Sequence, residues 1–122
     1  MTQFVKVRNE ARNTVLAERC RVASSVRDRS VGLLATPAPG APLLIERSPS
    51  IHMFFMRYPI DVVFLDSDLR VTKVVPALKP WRVVWWARGA RDCLELPVGA
   101  LHGTDTQVGD QLGLAALPLS PE

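Results

Sequence analysis

Between residues 43 and 97 the chain carries apolar segments of only about four to six residues, separated by turn-forming residues. Segments this short are too brief for stable helices and are the usual length of strands in a packed sheet. The segments are LLIE at 43–46, MFFM at 53–56, DVVFL at 61–65, RVTKVV at 70–75, VVWWA at 83–87 and CLELP at 93–97. This spacing favours a mainly β fold.

The N-terminal third predicts a hairpin followed by the one helix of the fold. Residues 4–8 and 15–23 read as strands, and NEARNT between them is turn-like. Ser25 and Asp28 have the spacing of a capping box, and a one-sided apolar pattern follows, which predicts a short helix around residues 25–34. The segment TPAPGAP at 36–42 holds three prolines and a glycine and therefore predicts a loop.

Together these segments predict one compact β-sandwich or barrel of about seven to nine short strands. At 122 residues we expect the chain to form a single domain over residues 1–122, large enough to bury a core without a metal or a disulfide. Near the end we expect a helical turn around residues 99–103, a last strand at 111–114 and a frayed tail at 115–122.

Composition narrows the class of protein. The longest apolar runs fall far short of the roughly 20 residues that cross a bilayer, and the N-terminus lacks the apolar core of a signal peptide, so we expect no transmembrane segment and a cytoplasmic location. The net charge is only +3, which does not favour duplex nucleic acid as a partner. Cys20 and Cys93 match no metal or disulfide pattern, so two buried or half-buried thiols are expected.

Asp61 is the most informative single residue, because it lies among apolar residues at the start of the strand 61–65. Pro59 ends the preceding strand, and residues on both sides of the new strand are apolar, which predicts a central, doubly buried position. A shielded carboxylate needs partners. It could accept backbone N–H groups at the Pro59 bend, pair with Arg29 or Arg57, or stay under-solvated as a general acid or base; the first two roles are structural and are favoured by base rates.

Two further residues are candidates for chemistry. His52 shares a strand face with Phe54 and Met56, but no third ligand is suitably spaced, so we predict no metal and no cofactor. Glu95 alternates with Leu94 and Leu96, which predicts an outward or rim position with a structural partner. If Asp61 and Glu95 converged, a paired-carboxylate hydrolase would be conceivable, although no nucleophile motif accompanies them.

The segment KPWRVVWWARGAR at 79–91 has the most unusual composition in the chain, with three tryptophans, one lysine, three arginines and no acid. Tryptophan and arginine are enriched at binding hot spots, and the same mixture suits single-stranded nucleic acid or a membrane surface. The simpler interpretation is a hairpin whose tryptophans cap the barrel. The candidate binding residues of the chain are Arg29, Arg57, Trp81, Arg82, Trp85 and Trp86.

Five sequence segments in order resemble the domain of unknown function 192 family: RSVGLL at 29–34, IHMFFMRYPIDVVFLD at 51–66, PWR at 80–82, LELPVGA at 94–100 and VGDQL at 108–112. The resemblance covers roughly residues 15–114 and implies a β-rich fold found in prokaryotes, with no established activity. The family pattern falls on Arg29, Gly32, Leu33, Met56, Pro59, Asp61, Leu94, Glu95, Leu96 and Pro97.

The leading hypothesis is therefore a non-catalytic binding module that contacts a protein or a small ligand through the segment 79–91 and the rim near His52 and Arg57. One alternative is a small hydrolase or lyase with Asp61 as acid or base, His52 and Glu95 nearby, and Arg57 binding an anionic substrate. Another is a binder of single-stranded nucleic acid or of a membrane surface through the segment 79–91.

Overall fold

The computed structural model describes residues 3–23, 41–49, the backbone of 51–52, 58–84 and 87–118. This part of the chain is mainly β, with a curled seven-stranded sheet that forms a half-barrel, so the predicted fold class is confirmed. Its strands are β1 (Gln3–Asn9), β2 (Thr14–Ala23), β3 (Leu43–Ile45), β4 (Ile51–His52), β5 (Ile60–Leu65), β6 (Val71–Leu78), β7 (Val83–Val84), β8 (Asp92–Pro97) and β9 (Leu112–Ala116).

The large sheet has the order β6-β5-β8-β3-β2-β1-β9, and β4 pairs with β7 in a separate two-stranded sheet. All neighbours are antiparallel except β2 and β3, which are parallel. The two edges of the large sheet meet at one end, where Val71 donates its N–H to the carbonyl of Asp110 at 2.9 Å and Leu112 donates to Leu69 at 2.9 Å. These bonds join the chain around the start of β6 to the chain around the start of β9, and so stabilise the curl of the sheet.

Strand β5 runs through the middle of the fold, and all six of its residues are buried. One face of the strand contributes Val63 and Leu65 to the core inside the curl, together with Leu94 and Leu96 of β8. The other face contributes Ile60, Val62 and Phe64 to a second cluster that contains Cys93. The predicted central, doubly buried strand is therefore confirmed, and its exclusion from water on both faces explains its continuous apolar sequence.

Several predicted elements differ from the structure or lie outside it. The helix at 25–34 and the strand at 53–56 fall outside the described residues. Residues 98–104 form consecutive turns closed by bonds between residues three apart, such as His102 N–H to Gly99 at 2.9 Å, where a helical turn was expected. Strand β9 extends to Ala116, which pairs with Val5, so this part of the tail is ordered in the sheet.

Within the described ranges, no helix has the length and apolar character needed to cross a membrane.

Candidate functional site

Asp61 accepts three backbone hydrogen bonds. Its side chain is only 2% exposed. The Oδ1 atom accepts the N–H of Ala77 at 2.8 Å, and Oδ2 accepts the N–H groups of Gly99 and Leu101, both at 3.1 Å. The carboxylate thus joins an edge strand to the turns after β8, and its burial is offset by donors that would otherwise lack partners.

The first donor exists because β6 contains a β-bulge opposite Asp61. Ile60 pairs with Leu78 and Val62 pairs with Val75, so two steps along β5 match three along β6. Pro76 lies in this bulge, and since it has no N–H it cannot complete the ladder. Ala77 adopts a left-handed φ of 50°, which releases its N–H from the ladder and leaves it to bond Asp61.

The other two donors come from the turns that follow β8. Ala100 donates to the carbonyl of Pro97 at 2.9 Å, and Gly99 has a φ of 92°, a conformation that glycine adopts at little cost. With this geometry the N–H groups of Gly99 and Leu101 converge on a single carboxylate oxygen. The donors therefore come from β6 and from residues 99–101, and not from the Pro59 bend that the sequence suggested.

A cavity of about 410 Å³ opens beside Asp61, within the size range of small-ligand pockets. Its wall is mostly apolar, and Val98 at its rim is 52% exposed. His102, which is exposed, and Thr106 supply polar groups. The lining residues are Asp61, Val74, Pro76, Ala77, Val98, Gly99, Leu101, His102 and Thr106.

A hydrogen-bonded cluster supports the cavity at Thr106. Asn9, which is fully buried, donates from Nδ2 to Thr106 Oγ1 at 3.1 Å and to Asp110 Oδ2 at 3.0 Å. Asp110 Oδ2 also accepts the Arg12 Nε–H at 3.1 Å and the Gln107 N–H at 2.9 Å. Burial by itself would raise the pKa of Asp110, but these hydrogen bonds outweigh it, so the pKa lies below the usual value.

Glu95 lies on the opposite face of the sheet from Asp61. In the ladder between β5 and β8, Asp61 pairs with Leu96 and Val62 pairs with Glu95, and side chains of successive pairs alternate between faces. The two carboxylates therefore do not converge on one cleft, which removes the geometric basis for a paired-carboxylate hydrolase. Glu95 is also 5% exposed, in contrast to the predicted outward or rim position.

The surroundings of Glu95 are apolar on its neighbouring strands, where it pairs with Leu43 and Val62. Its Oε2 atom is buried and has no hydrogen-bond partner in the part of the chain that the structure describes. Burial raises the pKa of Glu95 to about 8, against a smaller lowering effect of Arg21. The carboxyl group is consequently neutral in most molecules at pH 7.

Both cysteines are buried and free, as the sequence predicted. Burial raises the pKa of Cys20 to about 12 and that of Cys93 well above its ordinary value. The two side chains remain protonated thiols at neutral pH and are not activated nucleophiles.

The other predicted site residues are dispersed or lie outside the described residues. Trp81 is 59% exposed, and Arg82 is also exposed. His52 belongs to β4 and pairs with Val83, and its side chain is not described. Predicted binding residues outside the described ranges are Arg29, Arg57, Trp85 and Trp86.

Sequence reasoning did not identify the cavity residues beyond Asp61. His102 and Thr106 reach it only because the turns after β8 fold back beside β5. The segment VGALHG contains the relevant signal, since a glycine two residues after a strand is typical of a turn. A buried aspartate elsewhere in the chain is a natural acceptor for the N–H groups of such a turn.

Comparison with known proteins gives a family match over most of the chain. The model of the family DUF192, described as "Uncharacterized ACR", matches residues 6–114. A UPF0127 protein of Pyrococcus horikoshii is 37% identical over 109 residues, which cover 85% of this chain and 94% of the relative. A UPF0127 protein of Thermococcus sibiricus is 34% identical over 110 residues, covering 85% of this chain and 71% of the relative.

Two solved structures have a similar fold. A protein of unknown function from Novosphingobium aromaticivorans gives a TM-score of 0.72 at 19% identity, covering 90% of this chain and 83% of that one. A Sinorhizobium meliloti protein for which a role in transcription regulation has been suggested gives a TM-score of 0.74 at 20% identity, covering 93% and 94%. At these identities the likeness concerns the fold alone.

Proposed function

The chain belongs to the DUF192 family, whose members above carry no assigned activity, and we propose that it is a non-catalytic module that binds a small ligand in the cavity beside Asp61. The observation that carries this proposal is a solvent-open cavity of about 410 Å³ with a mostly apolar wall and a few convergent polar groups. This combination is typical of small-molecule sites.

The hydrogen bonds of Asp61 favour binding over catalysis. Its three hydrogen bonds with the described residues go to backbone N–H groups that shape the cavity wall, namely those of Ala77, Gly99 and Leu101. A paired-carboxylate mechanism would need a second carboxylate facing the same cleft. Glu95, the other candidate carboxylate, points to the opposite face of the sheet.

The test is to fill the cavity and measure ligand binding. Val98→Trp places a large side chain at the rim, whereas Val108→Trp alters another exposed valine that does not line the cavity. A library of small apolar fragments is screened by ligand-observed NMR against the wild-type protein and both variants. We expect fragments that bind the wild type and Val108→Trp but lose affinity for Val98→Trp.

Equal binding of every fragment by the wild type and Val98→Trp would reject the cavity as the site. The same conclusion would follow if no fragment perturbed the backbone amide resonances of residues 99–101, which lie against Asp61.

A contact surface on the segment 79–91 is a second candidate function, favoured by the 59% exposure of Trp81. Exposed tryptophan beside arginine is typical of interaction hot spots. The variant Trp81→Ala and the control Leu114→Ala, which truncates another exposed apolar residue, are compared for binding to labelled single-stranded DNA and to anionic vesicles. Selective loss of binding in Trp81→Ala supports this surface, and unchanged binding in both variants rejects it for those probes.

A further inference from the structure

We infer that the cavity beside Asp61 receives its ligand through a protonated amino group, with the apolar part of the ligand against Val74, Pro76 and Val98. This inference rests on the proposed function and specifies the chemical class of ligand. Among the described residues, Asp61 and Thr106 of the cavity wall have hydrogen-bonding positions that remain unused, and these positions are acceptors.

Asp61 retains acceptor capacity and offers no donor. A carboxylate has about four acceptor positions on its two oxygens. Oδ2 uses two of them for Gly99 and Leu101, and Oδ1 uses one for Ala77. One acceptor position on Oδ1 is left unused by the described residues. The three N–H groups around the carboxylate are already engaged, so a second anion would find no donor there.

Thr106 also presents an acceptor, because its proton is committed elsewhere. Thr104 Oγ1 lies 2.8 Å from the carbonyl of Leu101, an acceptor, so the hydroxyl proton of Thr104 points there. The contact of 2.8 Å between the two threonine hydroxyls must then use the proton of Thr106. Thr106 Oγ1 in turn accepts the Nδ2–H of Asn9 at 3.1 Å. One lone pair of Thr106 is left.

The orientation of Asn9 makes this assignment unambiguous. Its Oδ1 accepts the backbone N–H of Arg12 at 3.1 Å, and its Nδ2 faces the Asp110 carboxylate, which can only accept when ionised. The low pKa of Asp110 keeps that carboxylate ionised at neutral pH. The amide therefore cannot be reversed, and the direction of each bond from Asn9 to Leu101 is fixed.

The charges around the cavity also favour a cationic ligand. Among the described residues that line it there is one carboxylate and no lysine or arginine. His102 is exposed and can donate or accept according to its tautomer. An ammonium group has three donors and no acceptor, and so matches an acceptor position of the kind that Asp61 or Thr106 offers, while a carboxylate or phosphate ligand would meet like charge and filled donors at Asp61.

The experiment compares three probes of one shape with different polar groups: 2-phenylethylamine, 2-phenylethanol and phenylacetate. Binding is followed at pH 7 by chemical-shift titration of the backbone amides of the ¹⁵N-labelled protein. Because the N–H groups of Ala77, Gly99 and Leu101 bond directly to Asp61, they report on its occupancy. We expect the amine to bind about tenfold more tightly than the alcohol, and phenylacetate to bind weakest.

Charge substitutions at the rim give a test that leaves the buried network intact. Val98 is exposed, so Val98→Lys and Val98→Glu should both fold. Val98→Lys should weaken amine binding several-fold and Val98→Glu should strengthen it, with little effect on the alcohol. The control Val108→Lys, at an exposed valine outside the cavity lining, should change amine affinity less than Val98→Lys does.

The outcomes separate this inference from the proposed function. If all three probes shift the amides of 77, 99 and 101 with equal affinity, or phenylacetate binds most tightly, the cavity binds ligands but its preference for amines is rejected. If none of the three probes perturbs these amides, both the binding function and the amine preference fail.

Discussion

Asp61 and Glu95 are buried carboxylates on adjacent, hydrogen-bonded strands, yet their surroundings are opposite. Asp61 accepts three N–H groups, whereas Glu95 has a buried oxygen with no hydrogen-bond partner among the described residues. The difference follows from the backbone. Asp61 lies beside a bulge and a run of turns, where N–H groups are free, while Glu95 lies in a strand paired on both sides, where ladder bonds use the neighbouring N–H groups.

Burial alone therefore does not determine the role of an acidic residue. A carboxylate next to irregular backbone can organise that backbone, and Asp61 thereby shapes the cavity wall. A buried carboxyl group in a regular ladder has no donors to stabilise its ionised form, so the neutral form is favoured. Burial therefore raises the pKa of Glu95 to about 8.

The largest expected effect is a pH dependence of stability caused by Glu95. Its folded-state pKa is raised, so its contribution is fully favourable below the ordinary value of 4.5 and is lost as pH rises through about 8. The shift corresponds to at most about 5 kcal/mol. Denaturant unfolding between about pH 4 and about pH 8.5 should show this decline in the wild type and a flatter profile in Glu95→Gln.

The control for this prediction is Glu18→Gln, since Glu18 has an exposed side chain in β2. Its pH profile should follow that of the wild type. Parallel profiles for the wild type and Glu95→Gln would mean that Glu95 has a charged partner in solution.

Removal of the Asp61 carboxylate should cost about 4 kcal/mol of unfolding free energy, because Asp61→Ala leaves three N–H groups without their acceptor. Asp66→Ala is the matched control. Asp66 also accepts two backbone N–H groups, from Asp68 and Arg70, but at an exposed turn where water can replace it, so about 1 kcal/mol is expected. Urea unfolding of both variants at pH 7 measures the difference, and similar losses would contradict the role assigned to Asp61.

The sequence predicted the β-rich fold, the buried strand around Asp61 and the buried thiols, because each depends on local apolar pattern or composition. It did not predict where Asp61 finds its partners. Ala77 and Leu101 are 16 and 40 residues away from Asp61 in the sequence. The N–H of Ala77 reaches Asp61 because of a single-residue bulge at Pro76 and Ala77. The alternation of apolar and polar residues in β8 also led to the wrong position for Glu95. Alternation shows which residues share a face of the strand, but it does not show that both faces of the sheet are buried.

Asp110 is a third buried carboxylate, and its pKa is shifted in the direction opposite to that of Glu95. Its pKa is lowered in the folded state, so its stabilising contribution is present above the ordinary value of 3.8 and is lost as pH falls through the folded value. Asp110→Asn should cost about 2 kcal/mol near pH 7, because the ionised acceptor of Arg12 and Gln107 is removed. As the pH is lowered, the free energies of unfolding of this variant and of the wild type should converge. The control is Asp68→Asn, at an exposed turn, whose free energy of unfolding should stay close to that of the wild type at every pH.

The smallest effect tests whether the Asp61 bond holds strained backbone in place. Ala77 has a left-handed φ of 50°, which is unfavourable for alanine and acceptable for glycine, so Ala77→Gly should raise the unfolding free energy by up to about 1 kcal/mol. Ala115→Gly is the control, because Ala115 is exposed in β9 without a positive φ and should lose up to about 1 kcal/mol through added freedom of the unfolded chain. Thermal unfolding of the two variants should therefore shift in opposite directions. A decrease in both would mean that the bulge at Ala77 relaxes to ordinary strand geometry in solution, and Asp61 would then keep only the donors Gly99 and Leu101.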